Sequence, residues 1–359
     1  MSEEYVDYAK KHRPRTWDEI VGQETVIKSL RSAVIHDKIP SAYIFSGTRG
    51  TGKTTAALIL AKAINCENPP IKKGKRTGNP CNECDTCVGI DENYQSGFNY
   101  LSAANIDGVA AVRAIVEKAR LAQPLKKQIW IIDEVQRHSV QAWDAYLIPL
   151  EDSTLSKNCL FIFCTTEVQK IPAPIMSRCQ ARTFGLLEKD SSIEYLKKIV
   201  EEEKMEVEEV LFTEAAKMGR GSMRDTISAL EELMAAGPRE MPESFGDRIL
   251  KELAKKNVAG LLTILAEAVQ QGISMRDLQE QLFEDLRDLL VALALKTYDA
   301  DQKVLLKGLL GNKGLLLLLN EVGTGITELA GGMEPRIRFE ITLVKCVQKL
   351  NALTAKTNA

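Results

Sequence analysis

The chain has 359 residues, more than one typical core requires, so two or three domains are expected. Apolar residues make up 45% and charged residues 27%, an ordinary globular composition that excludes wholesale disorder. A net charge of −2 excludes nucleic-acid binding by bulk positive charge, so any DNA contact has to come from local geometry.

The opening residues MSEEYVDYAKKHRP lack the basic and apolar regions of a secretion signal. The longest apolar run, Leu289 to Leu295, is too short to cross a bilayer, and a cytosolic location without membrane contact is expected. From residue 41 to about 184, short apolar runs alternate with helical patterns, the sequence signature of an α/β fold with a parallel sheet and crossover helices. The predicted strands are 42–45, 129–132 and 160–164, and each runs into polar residues: Ser46-Gly47, Asp133-Glu134 and Thr165-Thr166. Ligands of open α/β sheets bind beyond the carboxyl ends of the strands, so three strand ends point to one site.

Past Leu187 the periodicity turns helical, at 191–203, 213–218 and 223–236. Gly237-Pro238 and Pro242 punctuate the chain. From about Phe245 it is helical and Leu-rich, with breaks near Gly272, Gly311 and Gly331-Gly332.

The segment Gly47-Thr48-Arg49-Gly50-Thr51-Gly52-Lys53-Thr54 fits G-x-x-x-x-G-K-[ST], between a predicted strand and a helix that starts at Thr55. Glycines let backbone N–H groups turn toward phosphate oxygens, and the helix N-terminus adds positive partial charge. Lys53 is placed for the β and γ phosphates, and Thr54 can ligate Mg²⁺. Hydrolysis of ATP also needs a metal-holding acid and an oriented water. Asp133, after the run Ile129 to Ile132, is placed for the metal, and Glu134 for the water.

Cys66, Cys81, Cys84 and Cys87 form C-x14-C-x2-C-x2-C, a sufficient ligand set for tetrahedral Zn²⁺; a redox dithiol would need only two of them. The polar stretch between Cys66 and Cys81 cannot build its own core and is expected to form a surface loop. Its Lys72, Lys73, Lys75 and Arg76 are either a solvated basic loop or a contact for DNA or a partner. Cys159, Cys164, Cys179 and Cys346 are expected to be buried thiols.

Arg13-Pro14, Ile20-Val21-Gly22-Gln23, the GTRGTGKT loop, IIDEV, FCTTE, Ser177-Arg178-Cys179 and Gly221-Ser222-Met223-Arg224-Asp225 occur in an order that resembles the γ/τ subunits of bacterial DNA polymerase III clamp loaders, AAA+ ATPases. The resemblance implies an AAA+ ATP-binding domain over 1–186 with a zinc module at about 66–87, a helical lid over 187–240 and an all-helical collar over 241–359. It implies ATP, Mg²⁺ and Zn²⁺ as cofactors, with Arg13, Pro14, Val21 and Gly22 over the base and residues Gly47 to Thr55 around the phosphates. Thr165 and Arg224 become the two sensors of bound nucleotide. Arg178 becomes an arginine finger acting on ATP held by a neighbour, so an isolated chain would bind ATP but hydrolyse it slowly. The implied partners are sister subunits in a pentamer, a sliding clamp and primer-template DNA.

Two departures stand out. Gln136 replaces a histidine usual in the family, and Pro149 falls in the helix after the acid pair, where it is tolerated only near the helix end. The chain stops at Ala359, as expected of the shorter γ form. A non-hydrolysing structural clamp-loader subunit is the first alternative, against which the intact Lys53, Thr54, Asp133 and Glu134 count. Another AAA+ motor, such as a branch-migration helicase, is the second, disfavoured by the cysteine module. The Leu-rich stretch 278–295 suits a collar interface and internal packing equally well.

Overall fold

A computed structural model describes residues 7–106, 108–121, 123–235, 244–298, 300–327 and 334–358. The chain divides into two compact units, Met1–Pro238 and Arg239–Ala359. The first runs α1 (Tyr8–Lys11), α2 (Glu24–Ile35), β1 (Ala42–Ser46), α3 (Lys53–Asn65), a hairpin of β2 (Ile71–Lys72) and β3 (Lys75–Arg76), α4 (Asp85–Asp91), β4 (Phe98–Ser102) and α5 (Gly108–Ala119). It continues through β5 (Gln128–Asp133), α6 (Val140–Glu151), α7 (Ser153–Asn158), β6 (Cys159–Thr165), α8 (Ala173–Met176) and β7 (Gln180–Thr183). Three helices close it: α9 (Lys189–Glu202), α10 (Glu209–Gly219) and α11 (Met223–Ala235).

Five strands form one sheet in the order β4-β5-β6-β1-β7, every neighbouring pair parallel. Strands buried on both faces read as unbroken apolar runs, which is why β1, β5 and β6 are visible in the sequence. Tyr43, Phe45, Ile129, Ile131, Leu160 and Ile162 pack on one face with residues of α2 and α3. Ile44, Trp130, Ile132, Phe161 and Phe163 pack on the other with residues of α5 and α6. The edge strands β4 and β7 escape the sequence reading because an edge needs no continuous apolar run: three of the four β7 residues are exposed.

The register aligns the strand ends. Ser46 lies opposite both Thr165 and Thr183, and Ser102 opposite Asp133. One rim of the sheet therefore carries the glycine loop, the acid pair and Thr165 together. Pro149 does sit inside α6, but two residues from its last residue, Glu151, where a missing N–H costs little.

The second unit is helical throughout its described residues, from α12 (Phe245–Lys255) and α13 (Val258–Gln270) through α14 (Met275–Leu295), α15 (Ala300–Gly308) and α16 (Gly311–Thr327) to α17 (Pro335–Asn358). Gly272 lies in the α13–α14 turn and Gly311 opens α16; the breaks expected at Gly237-Pro238, Pro242 and Gly331-Gly332 lie outside the described residues. Leu278, Leu282, Leu286 and Leu289 of α14 are buried in the unit's own core beside Leu253, Leu265, Leu318 and Phe339, so internal packing accounts for most of the Leu-rich stretch.

Candidate nucleotide cleft and cysteine centre

The glycine loop joins the end of β1 to the start of α3. Gly47 has φ +146°, and a Cβ there would lie 2.3 Å from the Phe184 carbonyl oxygen, so no other residue fits the turn out of β1. Lys53, the first residue of α3, is buried and donates from Nζ to the carbonyls of Gly47 (2.8 Å) and Thr48 (2.6 Å). Burial lowers its pKa, opposed in part by the nearby Asp133. Its ammonium is thus held under the loop whose N–H groups would face a phosphate.

Asp133 closes β5 beside it. Its Oδ2 accepts from Thr54 Oγ1 at 2.9 Å and from the Tyr100 hydroxyl at 3.0 Å, while Oδ1 accepts from the Glu134 N–H at 2.9 Å. A hydroxyl and a carboxylate meeting at the start of α3 form the hard oxygen donor set that suits Mg²⁺. Glu134 follows with φ +56° and pairs through Oε2 with Arg137 Nε at 3.0 Å. Thr165, fully buried at the end of β6, donates to Gln136 Oε1 at 3.0 Å. Gln136, the departure noted in the sequence, is therefore the polar partner of Thr165.

A cleft of 720 Å³ opens above this rim, within the range of nucleotide-sized sites. Its walls include Arg13, Pro14, Val21, the loop from Arg49 to Thr55, Asp133, Glu134, Thr165 and Arg224. Gly22, Gly47 and Thr48, also expected at the nucleotide, are not among the residues that line the cleft; Gly22 lies against Leu187. Gly50 has φ +75°, and a Cβ on it would fall 1.8 Å from Ser222 Oγ; the Met223 N–H donates to the Gly50 carbonyl at 3.1 Å. The segment carrying Arg224 thus rests directly on the loop, and Arg224 makes no ion pair among the described residues.

Arg178 lies outside the cleft. Its guanidinium binds Glu151 at the end of α6, with Nε 2.8 Å from Oε1, and donates from Nη1 to the Pro174 carbonyl at 2.7 Å. It does not join the cis site.

Sequence reasoning missed Tyr100 and the role of Gln23. Gln23 donates from Nε2 to the carbonyls of Gly185 (2.8 Å) and Thr51 (3.3 Å), and so ties the start of α2 to the loop and to the segment after β7. Tyr100 falls in no motif, and the Ile20–Gln23 motif does not disclose the partners of Gln23, which are distant in sequence.

The four expected cysteines do converge: their Sγ atoms lie within 4.8 Å of one another. Four thiolates around one Zn²⁺ need sulfur separations of about 3.8 Å, so the cluster fits with small adjustment. Burial would raise Cys81, but N–H groups of Glu83 and Cys84 donate to its sulfur and bring the thiol down to about 7. Burial holds Cys66 up, to about 11. The stretch between Cys66 and Cys81, expected as a loop, contains the β2–β3 hairpin; Lys73 and Gly74 at its tip both have positive φ, as a tight two-residue hairpin turn demands. Cys159, Cys164 and Cys346 are buried thiols, while Cys179 is only partly buried.

A parallel sheet of this order, with a glycine loop after β1, an acid pair after β5 and a polar residue after the central β6, defines the AAA+ P-loop fold. A family model described as DNA polymerase III, delta subunit, matches residues 22–187. The Bacillus subtilis DNA polymerase III subunit tau is 33% identical over 362 residues, spanning 94% of this chain and 62% of that protein. The Mycoplasma genitalium subunit gamma/tau is 39% identical over 228 residues, 63% of this chain and 37% of that protein. The chain belongs to the γ/τ family of DNA polymerase III subunits. It spans less than two thirds of the length of these relatives. Among solved structures, the Thermotoga maritima RuvB branch-migration motor superposes with a TM-score of 0.45 at 17% identity, over 73% of this chain and 86% of that one, and adds nothing to the assignment.

Proposed function

We propose that the protein is the ATP-hydrolysing motor subunit of a DNA polymerase III clamp loader, coupling ATP binding and hydrolysis to placement of a sliding clamp on primed DNA. The observation that carries this reading is the hydrogen bond from Thr54 to Asp133 beside buried Lys53, at the floor of a nucleotide-sized cleft. Together those three residues suit a Mg²⁺-bound triphosphate.

In this reading Lys53 exchanges the Gly47 and Thr48 carbonyls for β- and γ-phosphate oxygens. Thr54 and Asp133 are the residues that would hold Mg²⁺, whose positive charge would be supplied to the phosphates. Glu134 leaves Arg137 to orient the attacking water, and Thr165 reports on the γ phosphate through Gln136. Arg224 reaches the phosphates from α11 of the same chain. Arg178 leaves Glu151 to act on ATP held by a neighbouring subunit, which makes an assembly of subunits a requirement for turnover. Cys66, Cys81, Cys84 and Cys87 hold a structural Zn²⁺, and the helical second unit serves as the collar. A pentamer with sister subunits, the clamp and primer-template DNA are the proposed partners, and 1–186, 187–240 and 241–359 the proposed functional divisions.

The family-model match carries a delta-subunit description, and a structural subunit that does not hydrolyse ATP is the alternative reading. Steady-state ATPase with sister subunits, clamp and primed DNA separates the two. The motor reading predicts a rate raised by clamp plus DNA; a rate at background under all conditions would favour the structural subunit.

A further inference from the structure

We infer that Tyr100 is a positioning residue for the metal-bound nucleotide, acting through the Asp133 carboxylate; the inference rests on the nucleotide-binding reading above. In β4, Tyr100 stands opposite Ile131 of β5, two residues before Asp133. Side chains alternate along a strand, so Tyr100 shares a face with Phe98 and with the Ile129–Ile131–Asp133 series, the face that α3 covers. Asp133 lies further along the strand, opposite Ser102, and only a side chain as long as tyrosine spans that step. The phenol ends 3.0 Å from Oδ2, on the same oxygen that accepts from Thr54.

The consequence follows from counting donors. Without Tyr100 the carboxylate keeps Thr54 and the Glu134 N–H, and Thr54 is the group expected to turn toward a metal ion. Aspartate χ2 is a soft torsion, so a carboxylate with one firm donor per oxygen can swing away as Thr54 adjusts. Tyr100 supplies the donor that holds Oδ2 while Thr54 moves. The partly exposed ring makes few other demands on the fold, since Tyr100 sits on an edge strand and is 39% exposed.

The test is Tyr100→Phe, which keeps the ring and deletes the hydroxyl. Binding of a fluorescent, non-hydrolysable ATP analogue is followed in EDTA and across a Mg²⁺ titration. The expected result is a Mg²⁺ half-saturation raised about three- to tenfold, the net worth of one ordinary hydrogen bond, with metal-free affinity and melting temperature unchanged. An unchanged or lowered half-saturation would overturn the inference while leaving the nucleotide reading intact. Wild-type protein that binds the analogue with no Mg²⁺ dependence would also overturn the inference alone, whereas wild-type protein that binds no analogue with or without Mg²⁺ would overturn both.

Discussion

The nucleotide cleft and the cysteine centre occupy opposite ends of the same helix and are built in opposite ways. Helix α3 begins at Lys53 and is capped at its far end by Cys66, about 20 Å away for its length. At the first end, side chains come from positions as far apart as Arg13 and Arg224, brought together by sheet register and by the docking of the segment before α11 on the glycine loop. At the second, all four sulfurs come from residues 66–87 and have little core of their own. The join between them is Lys62, nearly inaccessible on α3, whose Nζ meets Asn82 at 2.8 Å and Asp91 at 2.9 Å. A distributed site inherits rigidity from the fold, whereas a contiguous one must import it, here from the proposed Zn²⁺.

Four substitutions probe that contrast. Lys53→Ala should weaken nucleotide binding by about a hundredfold, since charged hydrogen bonds to phosphate are lost, while the melting temperature stays near wild type. A fluorescence titration showing less than a threefold change would remove Lys53 from the site. Cys87→Ser should abolish bound zinc, read by metal analysis, and lower the melting temperature, yet change nucleotide affinity far less than Lys53→Ala. Equal losses of affinity in the two variants would mean that the cleft also depends on the metal. Gly50→Ala forces a Cβ into Ser222 and an unfavourable φ, and is expected to cost about tenfold in nucleotide affinity by displacing the segment that carries Arg224.

The smallest effect concerns Asp18, which joins the N-terminal segment to the cysteine module. The Asn79 amide it accepts from, and then Arg31, hold its carboxyl below the ordinary value of 3.8. A depressed folded-state pKa contributes stability above the unfolded value and loses it as pH falls through the folded one. Asp18→Asn should therefore lower the melting temperature by about 2 °C at pH 7 and by progressively less as the pH falls below 3.8. A pH-independent difference would exclude the ionised form as the cause.

The same contrast decides what the sequence discloses. The glycine loop, the acid pair and the cysteine spacing are contiguous, so their chemistry is readable without a fold. Tyr100 is invisible because its partner is 33 positions away and only the β4–β5 register joins them. Gly50 reads as a phosphate-loop glycine, but its contact with Ser222 appears only once α11 is in place. Likewise β7, mostly exposed, carries no apolar run to betray it. The helical second unit shows the converse limit: its leucine pattern foretells helices and a core, and says little about partners because the core consumes most of the pattern.

The central claim, that this cleft is one half of a catalytic site completed by a neighbour, is tested most directly by Arg178→Ala in the assembled complex. Nucleotide affinity and steady-state hydrolysis would be measured together, with clamp and primed DNA present. The account predicts affinity within about twofold of wild type, because Arg178 lies outside the cis cleft, and hydrolysis reduced by about a hundredfold or more. A wild-type rate in that complex would contradict it.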